Sequence, residues 1–110
     1  MSSSTYYVYI LECMGARYYT GYTTDVLRRF ESHCSGTGQC KFTRSFKPER
    51  IAQCWSTFEC KSEALKIERF IKTLAKNKKQ ELVLDPDKLS RYFNCIPIRE
   101  PYEYTHFSHA

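Results

Sequence analysis

Residues 18–33 read YYTGYTTDVLRRFESH, a run that predicts a strand, a glycine turn and then a helix. If the helix begins near Thr24 and turns by about 100° per residue, its apolar side chains share one stripe, formed by Val26, Leu27, Phe30 and Cys34. Arg28 then points away from the stripe. Arg29 and His33 are four residues apart, so they lie together along its edge. A cation and an imidazole side by side, next to the tyrosines of the preceding strand, indicate a functional site.

The length and composition are those of one globular domain. At 110 residues, with 26% charged and 42% hydrophobic residues, the chain can bury roughly two thirds of its unfolded surface. No apolar run approaches the ~20 residues that span a bilayer. The first residues lack the basic and apolar regions of a secretory signal. We therefore expect an intracellular protein, cytoplasmic or nuclear, that is not associated with a membrane.

Six cysteines are scattered along the chain without a pair at zinc-binding spacing. This pattern favours reduced and mostly buried thiols over disulfides. The alternative is a zinc site made of His33, Cys34 and Cys40, which lacks a convincing fourth ligand. The net charge is +5, and lysines and arginines cluster at residues 28–29, 41–50 and 61–79. Such a footprint favours a polyanionic partner, although solvated helix faces explain part of it.

Aromatic and β-branched side chains predict a strand over residues 6–11, with Val8 and Ile10 on one face and Tyr7 and Tyr9 on the other. The glycine-containing turn that follows can return the chain as a hairpin into the strand of Tyr18 to Thr20.

The first helix should begin at a cap on Thr23 or Thr24 and run to about Cys34. Residues 35–48 predict a loop of the kind that often holds substrate, because they are rich in Gly, Ser, Thr and cations and have no apolar period. A further strand is predicted over residues 51–58, with Trp55 in the core or on the sheet surface.

A second helix should run from Glu63 to about Lys76, capped by Ser62. Glu68 lies at the edge of its apolar stripe, where a carboxylate is costly unless it meets a cation or a metal. A salt bridge to Lys72, at i+4, is the simpler explanation, and the sequence alone does not choose between the two.

The end of the chain has weaker signals. Residues 82–84 predict a short helix or a terminal strand, and Asp85-Pro86 predicts a break with Asp85 capping a short helix through Phe93. We therefore divide the chain into a domain of residues 1–84 and an extension of residues 85–110. The extension is aromatic, and we expect it to pack on the domain or on a protein partner, or to support a homodimer.

Several of these residues occur in a recognisable order: Tyr7-Val8-Tyr9, Tyr19-Thr20-Gly21, Arg29, His33 and Glu68. This set resembles a GIY-YIG nuclease domain over about residues 6–84, and most of all its small stand-alone members, whose loop residues are similar to Phe42-Thr43-Arg44. Tyr7 stands where the family has Gly, and Thr20 stands where it has Ile.

The resemblance implies a small α+β domain whose central antiparallel sheet of about three strands is flanked by helices. It also implies an endonuclease that cleaves DNA with a divalent metal, Mg2+, for which Mn2+ can substitute. Matching positions make Glu68 the metal ligand and give the catalytic set Tyr9, Tyr19, Arg29, His33 and Glu68. The expected substrate contacts are Tyr7, Arg28, Lys41, Thr43, Arg44 and Lys72.

Physical chemistry limits these roles. A tyrosine is a poor base near neutral pH, because lowering its pKa from about 10 to about 7 needs roughly 4 kcal/mol. Tyr9 is therefore a credible base only if Arg29 or a metal lies beside it. Arg29 suits a phosphate because its planar fork donates two hydrogen bonds. The rival interpretations are a non-catalytic nucleic-acid-binding module and a protein-interaction domain that works through the aromatic tail.

Overall fold

The computed structural model describes residues 5–36, 40–58 and 60–98. Within these residues the fold is α+β, as predicted, and its single antiparallel sheet has four strands in the order β2-β1-β3-β4 rather than about three. The elements in chain order are β1 (Tyr7–Cys13), β2 (Arg17–Thr23), α1 (Val26–Ser35), α2 (Lys41–Ser45), β3 (Pro48–Ser56), α3 (Lys61–Thr73), α4 (Lys76–Leu84), α5 (Asp87–Ser90) and β4 (Ile96–Pro97).

The predicted hairpin is confirmed, since β1 and β2 pair with Tyr9 opposite Gly21. Its turn uses Gly15 and Ala16, both at positive φ. The predicted alternation along β1 is also confirmed, but both faces of the strand are buried. Val8 and Ile10 pack in one core cluster with α3, whereas Tyr9 belongs to a second cluster with α1. A central strand covered on both sides can therefore carry a polar hydroxyl into the interior.

The start of α1 differs from the prediction. Asp25, not Thr23 or Thr24, is the N-cap, and its carboxylate accepts a hydrogen bond of 3.2 Å from the Arg28 backbone N–H. A threonine still takes part, because the Thr23 hydroxyl accepts from the backbone N–H of Asp25 at 3.1 Å. Aspartate caps a helix at least as well as threonine does. With Asp25 as the cap, the helix begins at Val26.

The predicted loop of residues 35–48 is wrong over part of its length, because Lys41–Ser45 form α2. This helix is only five residues long, which is too short to show an apolar period. It also lacks a side-chain hydrogen bond at its N-cap, so the sequence shows no capping signal either. Its middle residue, Thr43, is buried. The helix therefore positions the Thr43 hydroxyl against His33 of α1.

Other boundaries also shift. β3 spans Pro48–Ser56 rather than residues 51–58. α3 begins at Lys61 after Cys60, not after a Ser62 cap, and ends at Thr73 rather than near Lys76. Residues 82–84 form the last turn of α4. Trp55 is fully buried in the core, as expected.

Residues 85–98 contribute to the same core as the preceding part of the chain. The short helix here is α5, which follows Pro86 rather than a cap on Asp85. Trp55 Nε1 donates a hydrogen bond of 2.9 Å to the Pro86 carbonyl oxygen. Leu89 and Cys95 lie in the cluster that contains Trp55. The predicted packing of the tail beyond residue 98 lies outside the described residues, and the boundary at residue 84 stays a prediction.

In the described part of the chain, no helix has the length and apolar character needed to cross a membrane. All six cysteines fall within it and are free thiols, three of them buried.

Candidate active site

Tyr9 and His33 meet inside the molecule, on the sheet face covered by α1. Both side chains are 2% exposed, and Tyr9 Oη lies 2.9 Å from His33 Nε2. The other ring nitrogen, His33 Nδ1, lies 2.9 Å from the hydroxyl of Thr43 on α2. The sequence placed His33 beside Arg29 on α1, and the structure adds that the imidazole is clamped between a phenol and a threonine.

The hydrogen bonds fix which way the protons point. Burial, and secondly the charge of Arg29, lowers the pKa of His33 to about 4, so the ring is neutral near pH 7. The Thr43 hydroxyl donates to the Cys40 carbonyl oxygen at 3.4 Å, so it accepts from His33 Nδ1–H. His33 Nε2 then carries the lone pair and accepts the Tyr9 proton. The imidazole is therefore held as an acceptor for Tyr9.

This burial predicts a pH-dependent stability. Folding favours neutral His33, so its contribution is fully present above its ordinary pKa of 6.5 and is lost as the pH falls towards about 4. We expect the free energy of unfolding, measured by urea titration between pH 7 and pH 4, to fall more steeply in the wild type than in His33→Gln. Equal slopes in the two proteins would contradict the assignment.

Both predicted catalytic phenols are protonated near neutral pH. Burial raises the pKa of Tyr9 to about 12, although the neighbouring Arg29 guanidinium opposes the shift. Burial also raises the pKa of Tyr19. The Tyr19 ring centroid lies 5.0 Å from that of His33 and 6.5 Å from that of Tyr9. The cation that a tyrosine base needs is thus beside Tyr9, but burial raises the pKa of the phenol by more than this cation lowers it.

Cys40 is a residue of this cluster that the sequence suggested only as a zinc ligand. Burial raises the pKa of its thiol, but hydrogen bonds from Thr43, Tyr19 and the Phe42 backbone outweigh burial and lower it. Its carbonyl oxygen fixes the Thr43 hydroxyl. The zinc alternative finds no support among the described residues, which contain no group of three or more acidic, cysteine or histidine side chains placed to hold a metal.

The two arginines of α1 have different surroundings. Arg29 is half-buried, and its charge acts on Tyr9, Tyr19 and His33. Arg28 is exposed. The helical geometry predicted this difference from the sequence.

Glu68 reaches the same cluster from α3. Its side chain is 14% exposed and lies 3.4 Å from Lys72 Nζ, so the salt bridge considered from the sequence is present. Its negative charge also makes a small contribution to the raised pKa of Tyr9. Lys72 Nζ lies 5.9 Å from the centroid of the Tyr19 ring. A single carboxylate is a donor set that fits Mg2+, which seldom has an all-protein cage and takes its other ligands from phosphate oxygens and water.

The remaining predicted substrate contacts are not all at this cluster. Thr43 is buried behind His33, a location that suits positioning rather than contact with substrate. Lys41 and Arg44 are exposed on α2. Tyr7 lines a separate pocket of about 220 Å3 at the start of α1, together with Asp25 and other residues.

Gly21 provides the space for the Tyr9 hydroxyl. A Cβ at this position would lie 2.5 Å from Tyr9 Oη and 2.7 Å from Tyr9 Cζ. We expect Gly21→Ala to lower the free energy of unfolding by about 1–3 kcal/mol, as overpacking usually does. Urea titration measures this. In a Tyr9→Phe background the cost should shrink because the nearest clashing atom is gone, and an undiminished cost would show that the strain lies elsewhere.

Comparisons with known proteins identify the family of this chain. The family model of the GIY-YIG catalytic domain matches residues 5–81. The chain is 49% identical over 78 residues to the UPF0213 protein BH0048 of Halalkalibacterium halodurans, an alignment that covers 71% of this chain and 81% of the relative. It is 51% identical over 79 residues to the UPF0213 protein H16_B0156 of Cupriavidus necator, covering 72% and 84%.

A solution NMR structure of the UPF0213 protein BH0048 from Bacillus halodurans aligns with 92% of this chain and 93% of its own, at 42% identity and a TM-score of 0.46. The matched catalytic domain is that of a nuclease family. The chain belongs to the GIY-YIG family, and its relatives are UPF0213 proteins of that family. A nuclease domain implies a nucleic-acid substrate.

Proposed function

We propose that the protein is a metal-dependent endonuclease that hydrolyses phosphodiester bonds in DNA and selects substrates by structure or context. The observation that carries the proposal is the hydrogen-bonded series Tyr9–His33–Thr43 with a guanidinium beside it. Phosphodiester hydrolysis needs a group that takes a proton from water and positive charge where the anion develops. Selection by structure is favoured because the matched domain is compact and has no separate module for reading bases.

Tyr9 is the group that we assign to the attacking water. Its proton stays on the phenol at rest, because the pKa of Tyr9 is raised whereas that of His33 is lowered. Tyr9 therefore gives up its proton to His33 Nε2 only as it takes one from water, in step with the attack on phosphorus. Thr43 supports this transfer by holding His33 in the accepting tautomer.

The positive charge comes from residues on two helices. Arg29 would donate two parallel hydrogen bonds to the scissile phosphate and stabilise the charge that develops on it. Tyr19 would orient the phosphate or the water through its hydroxyl. Lys72 is half exposed, so its ammonium can leave Glu68 and approach a neighbouring phosphate.

Glu68 would hold the divalent metal, Mg2+ or Mn2+. When bound, such an ion supplies positive charge to the phosphate and to the leaving 3′ oxygen. Glu68 reaches the site from α3, whereas Arg29 reaches it from α1, so the metal-binding carboxylate and the phosphate-binding guanidinium would come from different elements of the fold.

The two tyrosines can be separated by deleting single hydroxyl groups. We expect Tyr9→Phe to lower kcat by at least ~10²-fold, as loss of a general base does. Tyr19→Phe should cost less, about tenfold, because one hydrogen bond to a charged group is lost. Single-turnover rates at saturating DNA measure both effects. The reverse order would assign the base to Tyr19, and near wild-type rates in the double variant would exclude a phenol as base.

The proposed function itself is tested by incubating the full chain with matched single-stranded, duplex, nicked and branched substrates of DNA and of RNA, with Mg2+ or with a chelator. We expect cleavage of DNA only with the metal, and fastest cleavage of a nicked or branched form. Tight binding of DNA without cleavage under any metal condition would instead support a non-catalytic binding module.

A further inference from the structure

A groove of about 330 Å3 lies beside the active site, between the β1–β2 turn, α2 and α4. Its wall contains three cationic and two aromatic side chains, which are Arg17, Lys76, Lys79, Tyr18 and Phe42. The described residues that line it include no acidic side chain. The cations come from two separate elements, so the groove is positive along both sides and is not merely one basic helix face.

Aromatic rings connect this groove to the reacting groups. The Phe42 ring centroid lies 5.6 Å from that of Tyr19 and 5.1 Å from that of Phe46. At the far end, the guanidinium carbon of Arg17 lies 4.0 Å above the Phe46 ring. Since Tyr19 also contacts His33, the row of rings runs from the active site to the hairpin turn without a gap.

The lysines of α4 are arranged to face the groove. Lys76 and Lys79 are three residues apart, so they lie on one side of the helix. Lys78, on another side, is instead paired with Glu81 at 3.4 Å. Lys79 is partly buried and Tyr18 is half-buried, so both side chains pack against the domain where they line the groove.

We infer that this groove binds an unpaired strand of the nucleic-acid substrate, adjacent to the bond that is cut. The inference rests on the proposed function and names the substrate feature that the site selects. Aromatic faces flanked by cations bind single strands, because exposed bases stack on rings while the backbone meets the positive charge. A duplex hides its base faces, so it would leave Tyr18 and Phe42 unused. The preferred substrate is therefore a duplex that carries a single-stranded arm.

The test measures binding in a chelator, so that it does not depend on cleavage. The probes are a duplex with an unpaired oligothymidine arm and a blunt duplex with the same base pairs, each titrated by fluorescence anisotropy at several salt concentrations. We expect the wild type to bind the armed probe more tightly. The double variant Lys76→Ala/Lys79→Ala should lose that preference and reduce the salt slope for the armed probe by about 1.4, or ~0.7 for each single-strand phosphate contact.

The matched control is Lys61→Ala/Lys66→Ala, which removes two exposed lysines of α3 outside the groove and should leave the preference unchanged. A second measurement uses Tyr18→Trp as a reporter, because the only natural tryptophan, Trp55, is fully buried. Free oligothymidine should quench its emission, as a stacked base does. An unaltered preference in the groove variant, or no quenching, overturns the inference.

The outcome is separable from that of the proposed function. Wild-type cleavage of DNA without any preference for the armed probe would refute single-strand binding in the groove but would not contradict the nuclease proposal. Preference and quenching without any cleavage would support the groove and refute the nuclease proposal.

Discussion

Glu68→Gln is expected to abolish DNA cleavage while leaving the fold intact. Glutamine preserves the shape of the side chain but removes the charge that would hold the metal, and a metal contributes several kcal/mol to such a transition state. At about 1.4 kcal/mol per tenfold, the rate should fall by roughly 10³-fold or more. The lost salt bridge to Lys72, which is half exposed, should cost at most about 1 kcal/mol of stability.

A purely electrostatic role for Glu68 predicts the opposite result. Its charge raises the pKa of Tyr9, so Glu68→Gln would make the Tyr9 proton slightly easier to remove and leave the rate unchanged or higher. Glu81→Gln is the matched control, because Glu81 also pairs with lysines, Lys78 and Lys88, but lies outside the site. Mn2+ binding, followed by electron paramagnetic resonance, should weaken only in Glu68→Gln. Unchanged Mn2+ binding by Glu68→Gln would refute the assignment of Glu68 as the metal ligand.

The parts of the fold that could be predicted are those with a strong repeat in the sequence. The alternation along β1 and the 3.6-residue stripe of α1 both mark the side chains that the fold buries, so they predict these two elements. α2 could not be found this way, because a helix of five residues shows barely one turn of any pattern. Its middle residue, Thr43, accepts a hydrogen bond from His33, which is ten residues earlier in the chain.

The candidate site shows the same division. Sequence spacing placed Arg29 next to His33 and Arg28 away from both, because helical geometry alone fixes those directions. It could not show that His33 is buried and neutral, since that depends on its contacts with Tyr9 and with Thr43 on α2, which are distant in the sequence or lie in an unpredicted helix. Cys40 was missed as a structural partner because a cysteine that accepts hydrogen bonds leaves no pattern in the chain.

The structure tests only one of the two sequence interpretations of Glu68. The carboxylate is in a salt bridge with Lys72 and also acts on Tyr9. The other interpretation, a metal ligand, stays a prediction. The effect on Tyr9 was not foreseen, because a helical wheel shows neighbours on one helix and not the groups across on the sheet.

Arg29→Ala is expected to lower turnover by at least ~10³-fold, the range for an arginine that stabilises a transferring phosphoryl group. The loss should appear in kcat at saturating DNA, because the guanidinium acts on charge that develops during the reaction. Arg28→Ala is the internal control on the same helix. Arg28 is exposed, so its removal should cost at most one phosphate contact and reduce the salt slope for duplex DNA by about 0.9.

The pKa of His33 gives a readout of Arg29 that does not depend on turnover. The charge of Arg29 helps to lower that pKa, so Arg29→Ala should move the NMR titration of the His33 ring upward from about 4, towards its ordinary value. Arg28→Ala should leave the titration where it is. If both variants lost turnover equally and neither moved the titration, Arg29 would lie as far from the imidazole as Arg28, and the arrangement of phenol, imidazole and guanidinium at this site would be refuted.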